Sequence, residues 1–199
     1  MRTLKLRHSL TALAAASALF ALSGQAATLR VANQGDALSM DPHSLNESLQ
    51  LSVTNNVYEA LVGVSKDLKF EPGLATAWKQ TAPTIWRFTL RKGVTFHDGT
   101  PFTADDVVFS LNRASGDGSD MRSNTNDIKE VRKVDSHTVE IETKSPFPIL
   151  PNVLSTVYIM SKKWCEENQA QRPVDRRKGL ENAASFRSNG TGPFMLVER

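Results

Sequence analysis

Phe96-His97-Asp98-Gly99-Thr100-Pro101-Phe102-Thr103-Ala104-Asp105-Asp106-Val107 joins the end of an extended segment, a tight turn and the start of a capped helix without a spare residue. Asp98-Gly99 marks the turn, because glycine enters left-handed backbone at little steric cost and aspartate bonds nearby backbone groups. Thr103 with Asp106 three residues on has the spacing of a capping box, although Glu or Gln is more usual at the second position. Val107, Val108, Leu111 and Ala114 then give the helix an apolar face. His97-Asp98 invites a proton-shuttle reading. The turn already accounts for Asp98-Gly99, so the pair reads as scaffold.

Outward from this stretch the pattern alternates between periods. Ile85 to Arg91 alternates, with Trp86, Phe88 and Leu90 on one side and Arg87, Thr89 and Arg91 on the other, which describes a half-buried strand. Ile128 to Val134 and Thr138 to Thr143 read as two strands joined at Asp135-Ser136, with a Gly-, Ser- and Asn-rich loop over 115–126 before them. Leu49, Val53, Val57, Ala60 and Leu61 fall at helical spacing, with Asn46 or Ser48 as caps and Gly63 as the stop. Thr28 to Ala32 and Phe194 to Val197 read as short strands, and Trp164 to Lys178 as a helix. Leu68 to Trp78 contains a Pro72-Gly73 turn, and Pro146, Pro148 and Pro151 mark a linker or crossing strand. The mixture, with strands clustered between 85 and 143, predicts an α+β fold around a small antiparallel or mixed sheet. Ending just after a strand, at Arg199, the chain reads as a fragment of something longer.

The first residues read as an address. Arg2, Lys5 and Arg7 precede an apolar run from Leu10 to Leu22, and Gly24 and Ala26 suit a cut after Ala26. The run is too short to span a bilayer comfortably, and no cysteine at the cut suggests a lipoprotein. A chain starting at Ala27 has lost three of the 24 Lys and Arg and none of the 21 Asp and Glu, so its formal charge is zero. A nucleic-acid partner would need a clustered basic face, and the run Arg172 to Lys178 is interrupted by Pro173 and Asp175. The single cysteine, Cys165, excludes an internal disulfide.

Few residues point to catalysis. Asp41 and His43 could form a metal pair or half of a catalytic set, but Asp before Pro reads first as a turn. His43, His97 and His137 lack metal-ligand spacing and have no thiolate companions, so neither a metal nor a cofactor is expected. No Gly-x-Ser-x-Gly is present, which disfavours a serine hydrolase. Gly190-Thr191-Gly192 lacks the lysine and helix start of a phosphate loop. Trp78 and Trp86 sit at core-like spacing and read as packing residues.

Taken together, six segments resemble one family in the right order. Phe96 to Val107 resembles its FHDGTP(L/F)TA(E/D)DV signature. Asp41-Pro42-His43 resembles LDPH, with Met40 where leucine is usual. Val57 to Val62 resembles VYEGLV, with Ala60 for glycine, and Pro72 to Trp78 resembles P-x-LAxxW. Phe88 to Val94 resembles FxLRKGV, and Gly190 to Phe194 resembles GTGPY. These belong to the extracytoplasmic solute-binding proteins of ABC importers, in the peptide and nickel type, family 5. The resemblance implies a two-lobe periplasmic-binding-protein fold of type II with an extra inserted domain, only part of which this chain would hold. It divides the chain into a signal peptide (1–26), the start of the first lobe (27–70), an inserted small α+β domain (71–152) and a truncated return into the first lobe (153–199). It places solute contacts just after the LDPH element, at Leu45, Asn46, Glu47 and Ser48. It implies a monomeric, non-catalytic periplasmic protein without cofactor. The protein would take up peptides or another small solute and deliver them to an inner-membrane ABC permease. Two rivals are a secreted hydrolase using Ser and His, which turnover of esters or peptides would reveal, and a stand-alone periplasmic interaction domain.

Overall fold

The computed structural model describes residues 28–199, so the expected signal peptide lies outside the described residues. Residues 28–34 form neither helix nor strand, and Leu29 and Val31 lie exposed. The strand expected over Thr28 to Ala32 is therefore not formed: an extended stretch gains the hydrogen bonds of a strand only against a partner.

From Gly35 onward the chain runs α1 (Ser48–Thr54), β1 (Val62–Val64), β2 (Phe70–Pro72), β3 (Ala75–Ala82), β4 (Ile85–Leu90), α2 (Ala104–Ala114), α3 (Arg122–Thr125), β5 (Ile128–Asp135), β6 (Thr138–Thr143), α4 (Leu150–Leu154) and α5 (Lys162–Glu167). A 3-10 turn (Arg176–Lys178) and α6 (Ala183–Phe186) follow. β3 with β4 and β5 with β6 are hairpins, and β4 pairs with β6 to give the antiparallel order β3-β4-β6-β5. Phe88 stands opposite Val139, and Ile141 opposite both Trp86 and Val131. Since side chains alternate across a strand, these residues share one face with Leu90. That face buries Phe88, Leu90, Val131, Val139 and Ile141 in one core with Val107, Leu111 and Ala114 of α2. Burying a Val or Leu side chain of this kind stabilises by roughly 1.5–3 kcal/mol. Trp78 stacks beside Phe88 with ring centroids 6.4 Å apart, and Trp86 packs on the same core, so both tryptophans serve packing as expected.

The opposite face of the sheet carries a ladder of charges. Arg87 meets Glu140 at 2.7 Å, Arg132 meets Glu142 at 2.9 Å, and Lys129 meets Glu142 at 2.6 Å. Such solvated pairs contribute little individually and mark this face as the wet one.

Helix α2 starts as its sequence dictates. Thr103 Oγ1 accepts from the Asp105 N–H at 3.3 Å, and Asp106 Oδ2 accepts from the Thr103 N–H at 2.9 Å, which completes the capping box. Before it, the Phe96 N–H donates to Thr100 O at 2.8 Å and Gly99 takes φ +82°, the left-handed turn that its neighbours require.

Several elements are shorter than their periodicity suggests. The helix expected from Leu49 to Leu61 ends at Thr54, because Asn56 Nδ2 folds back onto Ser52 O at 2.8 Å and closes it. Val57, Ala60 and Leu61 are still buried, but outside the helix, and Gly63 lies within β1 opposite Glu71. The helix expected over Trp164 to Lys178 is only α5, broken by the positive φ of Gln169 (54°) and then by Pro173. Phe194 to Val197 forms no strand. In the proline segment, α4 forms with Pro151 in its first turn, where the missing N–H costs no hydrogen bond.

Candidate functional site

The segment after Ser39 is built as a locked turn. Ser39 Oγ accepts from the Asp41 N–H at 3.1 Å, and Asp41 Oδ1 accepts from the His43 N–H at 3.0 Å. Asp41 O accepts from Ser44 Oγ at 3.0 Å. The turn reading of Asp41-Pro42-His43 is therefore realised, but it is only half of the local chemistry. Arg113 reaches in from α2 and pairs with Asp41 through both oxygens, at 2.8 and 2.6 Å. Its Nη1 also donates to His43 Nδ1 at 3.0 Å, and its Nε donates to Ala170 O at 3.0 Å. His43 Nε2–H then donates to Tyr158 O at 2.9 Å, which fixes the neutral tautomer with its proton on Nε2.

Both charged side chains of this knot are fully buried. Burial alone would raise the Asp41 carboxyl, but the Arg113 guanidinium outweighs it and holds the carboxyl below its usual value. Burial would likewise lower the Arg113 pKa, and Asp41 reverses that, so both groups stay charged. Burial and the Arg113 charge push His43 down to about 4, so it stays neutral. Arg113 grips both Asp41 oxygens and both His43 nitrogens are engaged, so the pair is committed to the knot rather than presented to a metal or a reacting proton. Among the described residues no group of three or more His, Cys, Asp or Glu converges as a metal site would.

The four residues named from the sequence follow this turn directly. Leu45 is buried at 5% exposure, and its side chain belongs to the interior. Asn46 is half-buried; its N–H donates to Asp120 Oδ2 at 2.7 Å and its Nδ2 to Asn124 Oδ1 at 3.1 Å. Glu47 is the N-cap of α1 in extended backbone, and its side chain makes no cap bond. Ser48 begins the helix, and both Glu47 and Ser48 are exposed. The loop thus presents Glu47 and Ser48 outward, while the Asn46 donors are occupied from behind.

The Phe96-to-Val107 stretch has a partner too. His97 N–H donates to Gly190 O at 2.9 Å, His97 Nε2 to Gly192 O at 2.8 Å, and the Gly190 N–H to His97 Nδ1 at 3.3 Å. Asp98 N–H donates to Asn189 Oδ1 at 3.1 Å. The Gly192 N–H donates to Val57 O at 2.9 Å. A Cβ on Gly192 would sit 2.6 Å from Val57 C, and one on Gly190 would collide with Val57 O. Three of the resembling segments therefore meet at one backbone junction, and His97-Asp98 is engaged there as scaffold.

Arg113, Asp120 and Asn124 were not singled out from sequence. Arg113 carried a signal: Asp106, Ser110 and Arg113 form a buried polar stripe beside the apolar stripe of α2, and a charge on a buried face needs a counter-ion. Asp120 and Asn124 lie in what reads as a loop, and no periodicity marks them. A cleft of about 590 Å³ runs along α2 between Val108, Phe109 and Asn112 and the Gln171–Pro173 turn. Leu45 to Ser48 do not line it. Its lining mixes Asp105, Asp117, Lys162 and Arg172 without convergent chemistry, so the loop is the better candidate.

Comparison with solved structures defines the class. The fold matches part of NikZ from Campylobacter jejuni in complex with Ni(L-His), at TM-score 0.70 and 24% identity, over 83% of this chain and 32% of that one. It also matches the periplasmic binding protein DppA from Helicobacter pylori in complex with peptide STSA, at TM-score 0.66 and 25% identity, over 80% and 34%. The architecture is thus a portion of the two-lobe periplasmic binding proteins. Residues 69–199 match the profile described as bacterial extracellular solute-binding proteins, family 5 Middle, and the chain belongs to that family. The glutathione-binding protein GsiB of Salmonella choleraesuis is 33% identical over 194 residues, 94% of this chain and 35% of that protein. The chain spans about a third of the length of these relatives.

Proposed function

We propose that the protein is the periplasmic solute-binding component of an ABC importer, which captures a peptide or peptide-like solute such as glutathione and delivers it, unchanged, to an inner-membrane permease. Family membership supports the class, since the relatives and neighbours are named for binding glutathione, a nickel–histidine complex and a peptide. The observation that carries the local reading is the loop after the Asp41–Arg113 knot. It is rigid behind, where Asn46 is tied to Asp120 and Asn124, and open in front, at Glu47 and Ser48. A rigid polar edge of that kind suits recognition of an extended solute. In this reading Leu45 anchors the loop, Asn46 orients it, and Glu47 and Ser48 meet solute. Residues 71–152 serve as the inserted domain, the protein works as a monomer, and residues 1–26 direct export.

Two-lobe proteins bind by enclosing the solute, and this chain supplies one wall. A hydrogen bond left open to water nets only about 0.5–1.5 kcal/mol, so one wall gives affinity no better than roughly millimolar. Calorimetry with glutathione and short peptides should find no binding tighter than roughly millimolar to the 199-residue chain. A chain continued by the second lobe should bind at least about a thousandfold more tightly. Micromolar binding by the short chain would refute the one-wall account in favour of a stand-alone binding domain. N-terminal sequencing of exported protein should begin at Ala27 or its close neighbours.

A further inference from the structure

The loop read as solute-facing is held by a carboxylate that no catalytic or folding argument requires. Asp120 brackets it twice: its N–H donates to His43 O at 2.9 Å, and its Oδ2 accepts from the Asn46 N–H at 2.7 Å. The backbone from His43 to Asn46 is thus spanned by one residue, with Ser119 Oγ adding a bond to His43 O at 3.2 Å. The carboxylate is itself aimed. Arg177 donates Nη2 to Oδ2 and Nη1 to Oδ1, each at 2.7 Å.

The approach of these two segments is built into the backbone. Gly118 has φ +85°, and a Cβ there would lie 2.5 Å from Pro173 O, so the Asp117–Asp120 turn presses onto the segment that carries Arg177. Asn124 supports the same point from the other side, taking Asn46 Nδ2 and passing its own Nδ2 to Thr156 Oγ1 at 2.9 Å. As a stabilising ion pair Asp120–Arg177 is weak, because the Arg177 side chain is 67% exposed. As an orienting device it is effective, because the Asn46 N–H meets an ionised acceptor, and charge-assisted bonds are the stronger and shorter kind.

We propose that Asp120 is a positioning residue of the binding site: its carboxylate, aimed by Arg177, fixes the Asn46 backbone at the orientation in which Glu47 and Ser48 meet solute. This rests on the proposed solute-facing role of the 45–48 loop. The test separates the two. Amide hydrogen exchange is followed by NMR on the full chain and on its Asp120→Ala, Asp120→Asn and Arg177→Ala variants, and each is then titrated with glutathione at millimolar concentration. The Asn46 amide should be protected in the parent and exchange about tenfold faster or more in Asp120→Ala, the loss expected for a bond to a charged group. Val139 and Ile141 amides should be unchanged. Asp120→Asn, which keeps an acceptor oxygen, should restore most of the protection, and Arg177→Ala should fall between. Glutathione should shift the amides of residues 46–48 in the parent and shift them less in Asp120→Ala. An Asn46 amide that exchanges freely in the parent, or protection that survives Asp120→Ala, overturns the proposal. So does an equal loss at Val139 and Ile141, which would make Asp120 a general stabiliser. Glutathione shifts confined to other residues, with Asn46 still freed by Asp120→Ala, would refute the solute reading and leave the hold on the loop established.

Discussion

At Gly99 φ is +82° and nothing lies within 4 Å of where a Cβ would sit, whereas at Gly190 φ is ordinary and a Cβ would collide with the Val57 carbonyl. The two glycines are therefore needed for different reasons. Gly99→Ala meets only left-handed strain, about 1–2 kcal/mol. Gly190→Ala must move backbone in two segments at once and should cost on the order of 3 kcal/mol or more. Urea midpoints decide this, and an equal or smaller shift for Gly190→Ala would remove the close-approach argument. His43 gives a pH prediction. Its folded pKa, about 4, lies below the ordinary 6.5, so between those values the unfolded chain binds the extra proton. The stability of the neutral, buried ring is fully present above pH 6.5 and is lost as pH falls through about 4, a difference of about 3 kcal/mol. Asp41, held below its ordinary 3.8, adds its own loss at lower pH. Unfolding free energies measured from pH 7 to 4 should slope downward in the parent and flatten in His43→Gln; parallel slopes would contradict the assignment.

For elements, the capped start of α2 is the sharpest case. Thr103→Ala removes one cap bond and should cost about 0.5–2 kcal/mol. Asp106→Ala should cost more, because Asp106 Oδ1 also accepts the Lys162 N–H at 2.9 Å and ties α5 to α2. Thermal unfolding would show the order, and a larger effect of Thr103→Ala would break the link to α5. This helix was legible in sequence because cap, turn and apolar period all agree over residues 96–114. The hairpin β5–β6 and strand β4 were legible for the same reason: alternation, with a turn between the two hairpin strands. The β1–β2 hairpin was not, since three-residue strands are too short to show a period. Nor were the ends of α1 and α5, which are set by a single Asn56 side chain and by the backbone at Gln169. The Asp41-Pro42-His43 turn could be read locally. The knot around it could not, because Arg113, Ala170 and Tyr158 reach it only through the fold.

At the scale of the molecule, the described residues bury two apolar cores. The Cys165 thiol is buried in the smaller one with Met40, Val57, Tyr58 and Met160, and burial pushes it up to about 12. A thiol so protonated is a poor nucleophile. Iodoacetamide at pH 8 should label it slowly in the native chain and rapidly in urea; fast native labelling would show that this core opens. The Asp41–Arg113 pair spans 72 residues of chain, and the Arg113–Ala170 bond a further 57. Closing loops of that length is slow relative to local helix and hairpin formation. As the chain is made from its N-terminus, Ser39 to Ser44 emerge early, yet Asp41 and His43 wait for Arg113, and the knot closes only when Tyr158 and Ala170 arrive. That segment should therefore gain protection later than the β5–β6 hairpin in refolding, and in the nascent chain it remains a bare strip open to proteases and chaperones.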